Sequence, residues 1–248
     1  MTEVSSQLSP GAAKLPRHLA VIMDGNGRWA QARGQMRIKG HQAGANAVRT
    51  IIKAARTRGI PILTLYAFSS ENWKRPATEV SALMQLLGRA LAEHVDELHS
   101  YDIKIRIVGD VSALSPTLQR TIAQVEAKTC HNRSMTLNIA INYGARLELT
   151  QALKQVAAQV VAGRLKLEDL DATTISQALY VPQDVDLLIR TGGEFRLSNF
   201  LLWQCAYAEI YVSEVLWPDF DEAELTRALE FYAGRERRFG MTSAQLAK

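Results

Sequence analysis

The stretch Leu19-Ala-Val-Ile-Met-Asp-Gly-Asn-Gly-Arg-Trp29 joins an apolar run to a glycine-rich turn. Residues 19–23 predict a buried strand, and the glycines after them let the backbone turn tightly and bring its N–H groups close to a ligand. Asp24 stands at the carboxyl end of this strand, where open α/β sheets bind ligands, and the Arg28 guanidinium suits phosphate oxygens. Since Mg²⁺ takes one or two carboxylates together with substrate phosphates, the stretch predicts adjacent phosphate and metal sites.

Two other interpretations of this stretch compete with a metal and phosphate site. Asp-Gly and Asn-Gly are common turn dipeptides, so a strand followed by a plain turn explains the same residues equally well. The spacing from Gly25 to Ala30 also fits the G-x-G-x-x-A form of the dinucleotide-binding fingerprint. That fingerprint needs an acidic residue about 20 positions later, yet residues 25–70 contain eight Lys or Arg and no Asp or Glu. The window therefore favours an anion rich in phosphate and poor in sugar.

Length and composition indicate one large α/β domain. The chain has 248 residues, of which 47% are hydrophobic, which is enough for a single core. The net charge of +4, with few aromatic residues near the basic ones, disfavours nucleic-acid binding. Cys130 and Cys205 are unclustered, as in reduced cytoplasmic proteins, and no apolar run approaches the ~20 residues of a membrane span. We expect a flexible leader over 1–16, one domain over 17–240 and a flexible tail over 241–248.

The rest of the hydrophobic pattern alternates between strands and helices. Five further strands are predicted over 62–68, 103–108, 135–141, 185–189 and 209–212. Helices are predicted over 41–58, 78–100, 117–129, 146–162 and 221–233, with short ones over 171–180 and 200–204 and a mobile basic loop over 33–40. This alternation predicts a single α/β domain with a six-stranded, mostly parallel sheet and helices on both faces. The apolar stripe of helix 78–100 is either plain core or the wall of an apolar channel.

Polar clusters follow two more of the predicted strands. Residues 69–76, Ser-Ser-Glu-Asn-Trp-Lys-Arg-Pro, end the second strand, and residues 190–199, Arg-Thr-Gly-Gly-Glu-Phe-Arg-Leu-Ser-Asn, end the fifth. Two guanidinium groups, a hydroxyl and accessible backbone suit a diphosphate, and the first turn of helix 41–58 offers free N–H groups to an anion. A glycine hairpin with surface arginines is the alternative for 190–199. Glu209 is a candidate second metal ligand, or an ordinary carboxylate on an edge strand.

Five motifs carry a resemblance that covers about residues 16 to 240. They are His-Leu-Ala-Val-Ile-Met-Asp-Gly-Asn-Gly-Arg-Trp-Ala (18–30), Gly-His-Gln-Ala-Gly (40–44), Leu-Tyr-Ala-Phe-Ser-Ser-Glu-Asn-Trp-Lys-Arg-Pro (65–76), Leu-Ile-Arg-Thr-Gly-Gly-Glu-Phe-Arg-Leu-Ser-Asn-Phe-Leu-Leu-Trp-Gln (188–204), and Ala-Glu-Ile-Tyr (208–211) with Trp-Pro-Asp-Phe (217–220). In this order and at this length they resemble the cis-prenyltransferase family, most of all its bacterial undecaprenyl diphosphate synthase branch.

The resemblance implies a homodimer whose protomers contain the six-stranded parallel sheet and an apolar tunnel. It implies repeated condensation of isopentenyl diphosphate onto farnesyl diphosphate with Mg²⁺ as cofactor, each new double bond being cis. The product would be undecaprenyl diphosphate, the lipid-carrier precursor for cell-wall polysaccharide. A cytoplasmic location follows, with transient contact to a membrane surface during product release.

The same resemblance implies roles residue by residue. Asp24 matches the essential metal-associated aspartate, Asn72 the residue assigned to proton removal, and Glu209 a metal ligand contributed across the subunit interface. The residues that match the allylic diphosphate cradle are Gly25, Asn26, Gly27, Arg28 and His41. The residues that match further substrate contacts are Trp29, Arg37, Ser69, Ser70, Glu71, Trp73 and Arg75. The residues that match the isopentenyl diphosphate site are Arg190, Arg196 and Ser198, with Leu197 between them also counted as substrate-binding.

Three rival classes of protein lack support in the sequence. Trans-type prenyltransferases use D-D-x-x-D motifs, and the chain has no Asp-Asp pair. A P-loop NTPase needs Gly-Lys followed by Ser or Thr, and the chain has no Gly-Lys pair. An inactive subunit of a prenyltransferase complex would be expected to lack Asp24 or the Arg196-Leu-Ser198 end of the fifth-strand loop, and both are present.

Overall fold

The computed structural model describes residues 14–238 together with 242 and 245. Its first strand, β1 (His18–Ile22), is buried at every position, as the apolar run predicts. Residues 1–13 of the predicted leader, and the predicted tail apart from 242 and 245, lie outside the described residues. The limits of the leader, domain and tail therefore stay predictions.

Six strands and seven α-helices follow one another along the described chain. The strands after β1 are β2 (Ile62–Ser69), β3 (Ile103–Val108), β4 (Met135–Tyr143), β5 (Leu187–Arg190) and β6 (Glu209–Val212). The helices are α1 (Asn26–Gln31), α2 (Arg37–Thr57), α3 (Ala77–Ser100), α4 (Pro116–Thr129), α5 (Ala145–Val161), α6 (Ala172–Gln177) and α7 (Glu222–Ala233). A 3₁₀ segment, Ser70–Lys74, joins β2 to α3.

The strands form one sheet in the order β3-β4-β2-β1-β5-β6, and every neighbouring pair is parallel. β1 lies between β2, the next strand in sequence, and β5, which the chain reaches only after β3 and β4. The strand order therefore reverses at β1, and such switch points are where open α/β sheets bind ligands, outside the carboxyl ends of the strands. The prediction of a six-stranded parallel sheet is confirmed.

Helices cover both faces of the sheet, also as predicted. One face packs against α2, α3, α4 and α7 in a large apolar cluster that includes Leu19, Leu63 and Leu187. The other face packs against the start of α5 and the segment after β5, around Tyr143 and Phe200. None of the helices in the described part of the chain combines the length and the apolar content that a membrane span requires.

Three local predictions were wrong. Residues 26–31 form α1 where we expected a loop, because Gly25 takes a φ of 106° and lets the chain enter a helix immediately. α2 begins at Arg37, so only 33–36 of the predicted basic loop lies between the helices. Residues 200–204 form a bend followed by turns instead of a short helix. Ser198, Asn199 and Leu201 have φ values of 48°, 59° and 44°, which a right-handed helix cannot accommodate.

Candidate active site

Asp24 and Arg190 form the centre of the site. Ile22 pairs in register with Arg190, so Asp24 emerges just beyond the end of β5. The Arg190 guanidinium donates to Asp24 Oδ2 at 2.8 Å, and the backbone N–H of Gly25 donates to Asp24 Oδ1 at 2.7 Å. Thr191 Oγ1 accepts from the Asp24 N–H at 2.9 Å and donates to the Asp24 carbonyl at 2.7 Å. Asp24 is therefore fixed by the next residue in the chain, Gly25, and by Arg190 and Thr191 at the end of β5.

Arg190 is held from several sides. Its side chain is only 4% exposed, and it also donates to Ser198 Oγ at 2.9 Å and to the Arg196 carbonyl. The loop reaches back to Arg190 because Gly192, Gly193 and Ser198 all adopt positive φ. The structure thus brings Arg190, Arg196 and Ser198 together beside Asp24.

Two glycines near the site allow arginines to approach closely, namely Gly27 of the predicted cradle and Gly192 of the loop after β5. A Cβ on Gly27 would lie 2.5 Å from an Arg37 guanidinium nitrogen, and a Cβ on Gly192 would lie 2.5 Å from one of Arg28. Arg28 also lies 3.6 Å from Asp24 and 3.8 Å from Glu194. A side chain at either glycine would push the facing guanidinium group aside, and at Gly192 the φ of 82° also favours glycine.

A second cationic cluster lies at the start of α2 and α3, around Glu79. The Glu79 carboxylate lies 3.1 Å from Arg75, 3.4 Å from Arg37 and 3.9 Å from His41 Nε2. Burial, followed by the nearby Arg75 charge, lowers the pKa of His41 to about 4, so the imidazole is neutral at pH 7. His41 Nε2 is buried and makes no hydrogen bond. The sequence reasoning missed Glu79, because an acid in the first turn of a helix resembles ordinary dipole stabilisation.

The 3₁₀ segment after β2 is held by its own side chains. Asn72 Oδ1 accepts from the Ser69 N–H at 3.1 Å in a reciprocal capping arrangement, so the amide oxygen already accepts one hydrogen bond from the backbone. Glu71 accepts from Asn199 at 2.8 Å, which ties the segment to the loop after β5. Trp73 donates to Asn142 at 2.7 Å and its ring packs edge-on against a core phenylalanine.

A cavity of about 490 Å³ opens among these groups and continues between the sheet and helices α2 and α3. The predicted site residues that line it are Asp24, Gly25, Asn26, Gly27, Arg37, His41, Ser69, Asn72, Arg75, Arg190, Arg196 and Ser198. Deeper in, its wall is apolar, with Leu83, Leu87 and Leu91 of α3 facing Leu137 and Ile139 of β4. The stripe of α3 is therefore a cavity wall along part of its length.

The other predicted site residues lie outside this cavity. Arg28, Ser70, Glu71 and Trp73 lie next to lining residues in the chain, and Leu197 lines a separate cavity beside β6. Trp29 donates to Asp219 at 2.7 Å, and the Arg33 guanidinium lies 4.0 Å from its ring centre. The Trp29 ring therefore lies between Asp219 and Arg33, and it does not line the cavity.

Glu209 does not reach Asp24 within one chain. It begins β6 in register with Leu187, whereas Arg190 pairs with Val212 at the other end. At ~3.3 Å per residue, this separates Glu209 from the level of Arg190 by roughly 10 Å. Its carboxylate instead lies 3.1 Å from the guanidinium of Arg235. Across the described residues, no group of three or more metal-ligating side chains occurs.

The charges around the cavity mouth favour an anion. Among the residues that the structure describes, the ion pairs at the mouth contain five arginines and only three carboxylates. The arginines are Arg28, Arg37, Arg75, Arg190 and Arg196, and the carboxylates are Asp24, Glu79 and Glu194. Since guanidinium groups bind phosphate oxygens in bidentate fashion, the excess suits a ligand that carries more than one phosphate.

Comparison with known proteins points to one family. A family model described as putative undecaprenyl diphosphate synthase matches residues 22–240. The ditrans,polycis-undecaprenyl-diphosphate synthase ((2E,6E)-farnesyl-diphosphate specific) of Pectobacterium atrosepticum is 54% identical over 230 residues, covering 92% of this chain and 91% of the relative.

Two solved structures share the fold over nearly their whole length. The lavandulyl diphosphate synthase of Lavandula x intermedia, in complex with dimethylallyl diphosphate, has a TM-score of 0.88 and 40% identity, covering 91% of this chain and 98% of the other. A probable undecaprenyl diphosphate synthase from Campylobacter jejuni has a TM-score of 0.77 and 38% identity, covering 92% of this chain and 99% of the other.

Proposed function

The chain belongs to the family of putative undecaprenyl diphosphate synthases, and we propose that it condenses isopentenyl diphosphate repeatedly onto farnesyl diphosphate. The product is undecaprenyl diphosphate, the lipid-carrier precursor for cell-wall polysaccharide. One observation carries the proposal: a cation-rich mouth around Asp24 and Arg190 opens into an apolar cavity. Such a cavity suits a ligand with a diphosphate head and a hydrocarbon tail.

Two cationic groups at the mouth can serve two diphosphates. Arg190, Arg196 and Ser198 would hold isopentenyl diphosphate, while residues 25–28 with Arg37, His41 and Arg75 would hold the allylic diphosphate. As the allylic C–O bond breaks, negative charge develops on the leaving diphosphate, and fixed guanidinium groups stabilise it electrostatically. Holding both substrates at one mouth also brings the second substrate's alkene within reach of the allylic carbon.

The residues at the mouth fit a magnesium ion. Asp24 supplies a hard carboxylate beside the cationic cradle, and both of its oxygens keep lone pairs beyond the hydrogen bonds they accept. Mg²⁺ needs only one or two protein carboxylates when substrate phosphates complete its shell. When bound, the ion would neutralise charge on the departing diphosphate. Glu209 would act only from a second subunit, since its own chain keeps it at the opposite end of β6.

Proton removal after each condensation is a separate requirement. The Asn72 amide oxygen accepts from the backbone, which leaves its N–H₂ group free to donate toward the cavity. An amide is a poor base, so we propose that Asn72 orients the substrate or a water and that a diphosphate oxygen accepts the proton.

We further propose a homodimer in the cytoplasm, with transient contact to a membrane surface during product release. The edge of the sheet supports the dimer, because β6 pairs on one side only and exposed apolar side chains lie around it. Phe195 is 82% exposed and Ile210 is 48% exposed. A second subunit covering this edge would remove both from water.

Product analysis tests the proposed function. Radiolabelled isopentenyl diphosphate, farnesyl diphosphate and Mg²⁺ should yield a prenyl diphosphate of eleven isoprene units, and the Asp24→Ala variant should yield none while remaining folded. A relative with the same fold is a lavandulyl diphosphate synthase, so the fold alone does not decide chain length. A single short product from the native chain would overturn the proposal.

Product length offers a second test of the same site. Ala67 and Leu137 both line the apolar part of the cavity. Ala67→Leu or Leu137→Trp should fill space that the growing tail occupies, and mass spectrometry should then find shorter products. An unchanged distribution would show that the tail grows elsewhere.

A further inference from the structure

The far end of the cavity has a different chemistry from its apolar middle. After the leucines of α3, the lining includes Arg49 and Lys53 of α2 together with Glu97 and Tyr101 at the end of α3. These side chains lie where the two helices face each other, far along both helices from the groups at the mouth. Charged groups are an unexpected lining for the end of a cavity that holds a hydrocarbon.

Glu97 joins the two helices. Its carboxylate accepts a hydrogen bond from the Arg49 guanidinium at 2.9 Å and lies 3.7 Å from the Lys53 ammonium. The Tyr101 hydroxyl donates to the same carboxylate at 3.4 Å. The Arg49 hydrogen bond in turn holds the pKa of Glu97 below its usual range. One carboxylate on α3 therefore bridges to two cations on α2.

We propose that the ion pairs of Glu97 with Arg49 and Lys53, here called the Glu97 clasp, close the far end of the cavity. Their closure limits how far the product chain grows. The inference rests on the proposed function, because it needs a growing tail inside the cavity. The clasp is a gate between α2 and α3, and the tail reaches it only after several condensations. Glu97, Arg49 and Lys53 then act on product length without touching the reacting groups.

The strength of the clasp suits a gate. Arg49 and Lys53 are about half exposed, at 48% and 59%, and ion pairs so exposed add little net stability. Each isoprene unit that stays out of water, by contrast, is favoured by the hydrophobic effect. A prenyl tail that has filled the apolar part of the cavity can therefore separate the ion pairs of the clasp. Separating them still has a free-energy cost, which disfavours adding the next isoprene unit.

The test compares product lengths in three single variants of the full chain. Glu97→Gln keeps the side-chain shape and removes the charge, and Arg49→Glu places a second acid opposite Glu97. Glu93→Gln is the control, because Glu93 lies on the same helix, is exposed and does not line the cavity. Each variant receives saturating farnesyl and isopentenyl diphosphates, and the products are separated by length.

We expect Glu97→Gln and Arg49→Glu to raise the fraction of products longer than the main native product about fivefold, the scale of one exposed ion pair. Glu93→Gln should match the native chain, and the double variant Arg49→Glu with Glu97→Arg should restore the native distribution. Unchanged lengths in both single variants, or faster turnover without longer products, would overturn the clasp. If the native chain makes no prenyl product at all, the proposed function itself fails, which is a distinct result.

Discussion

The two cationic groups at the cavity mouth are built in opposite ways. Arg190 ends a core strand, is 4% exposed, and is fixed by Asp24, Ser198 and a backbone carbonyl. Arg37 and Arg75 stand near the starts of helices, where Arg37 is 46% exposed, and both converge on the Glu79 carboxylate. The first group is rigid before any ligand arrives, while the second depends on one carboxylate to gather it.

This difference suggests a division of labour. A preorganised guanidinium costs no rearrangement as charge develops, which favours transition-state stabilisation. Side chains that must be gathered contribute more to binding than to the chemical step. We therefore expect variants on the Arg190 side to affect turnover and variants on the Glu79 side to affect KM for the allylic substrate.

Replacing Arg190 should have the largest effect. Arg190→Met removes the charged donor to Asp24 and should lower kcat/KM between about 10² and 10³-fold, the usual loss for one preorganised donor. Steady-state kinetics with both substrates measures it, and circular dichroism checks the fold. Arg196→Met is the comparison variant, because Arg196 belongs to the same proposed diphosphate group but its side chain is exposed, so a smaller loss is expected. An equal loss in both variants would contradict the special role of the buried guanidinium.

A substitution at Asn72 tests whether the 3₁₀ segment after β2 is preorganised like the group around Arg190. Asn72→Asp keeps the oxygen that accepts from Ser69 but replaces the N–H₂ donor by an acceptor. Turnover should fall about 10²-fold, at the low end of losses for a misplaced proton-transfer or positioning group. Full turnover with an unchanged pH profile would rule out a specific role of the amide.

Glu79→Gln should act more mildly and on a different parameter. Without the carboxylate, Arg37 and Arg75 repel each other, and KM for farnesyl diphosphate should rise roughly three- to tenfold, since such ion pairs contribute up to ~1 kcal/mol each. KM for isopentenyl diphosphate should stay the same. A lower KM for farnesyl diphosphate would mean that Glu79 competes with the diphosphate instead of ordering its ligands.

The pH response of His41 should be the smallest effect. Burial lowers its pKa to about 4, so the imidazole stays neutral between pH 6 and 8 and gains a proton only as the pH falls toward 4. His41→Asn should therefore lower kcat/KM by the same factor at pH 6, 7 and 8. A loss that grows as the pH falls from 8 to 6 would show that His41 binds the diphosphate as a cation.

Local patterns in the sequence determined the sheet and the part of the site around Asp24 and Arg190. Buried strands are continuous apolar runs, and each strand that bears function ends in polar residues, so parallel pairing brings Asp24 and Arg190 to one edge. Asn72 could be assigned through its motif, but its hydrogen bond to Ser69 could not. That bond depends on backbone geometry within the 3₁₀ segment.

Tertiary structure alone decided which side chains meet across distant elements. Glu79 and Glu97 look like ordinary helix acids in the sequence, and only the packing of α3 beside α2 turns one into the hub of the mouth and the other into the clasp. The same packing decides that part of the α3 stripe lines a cavity instead of filling a core. The spacing of apolar residues indicates which face of a helix is buried. The partner of that face depends on how the helices are placed over the sheet, and no local pattern encodes that placement.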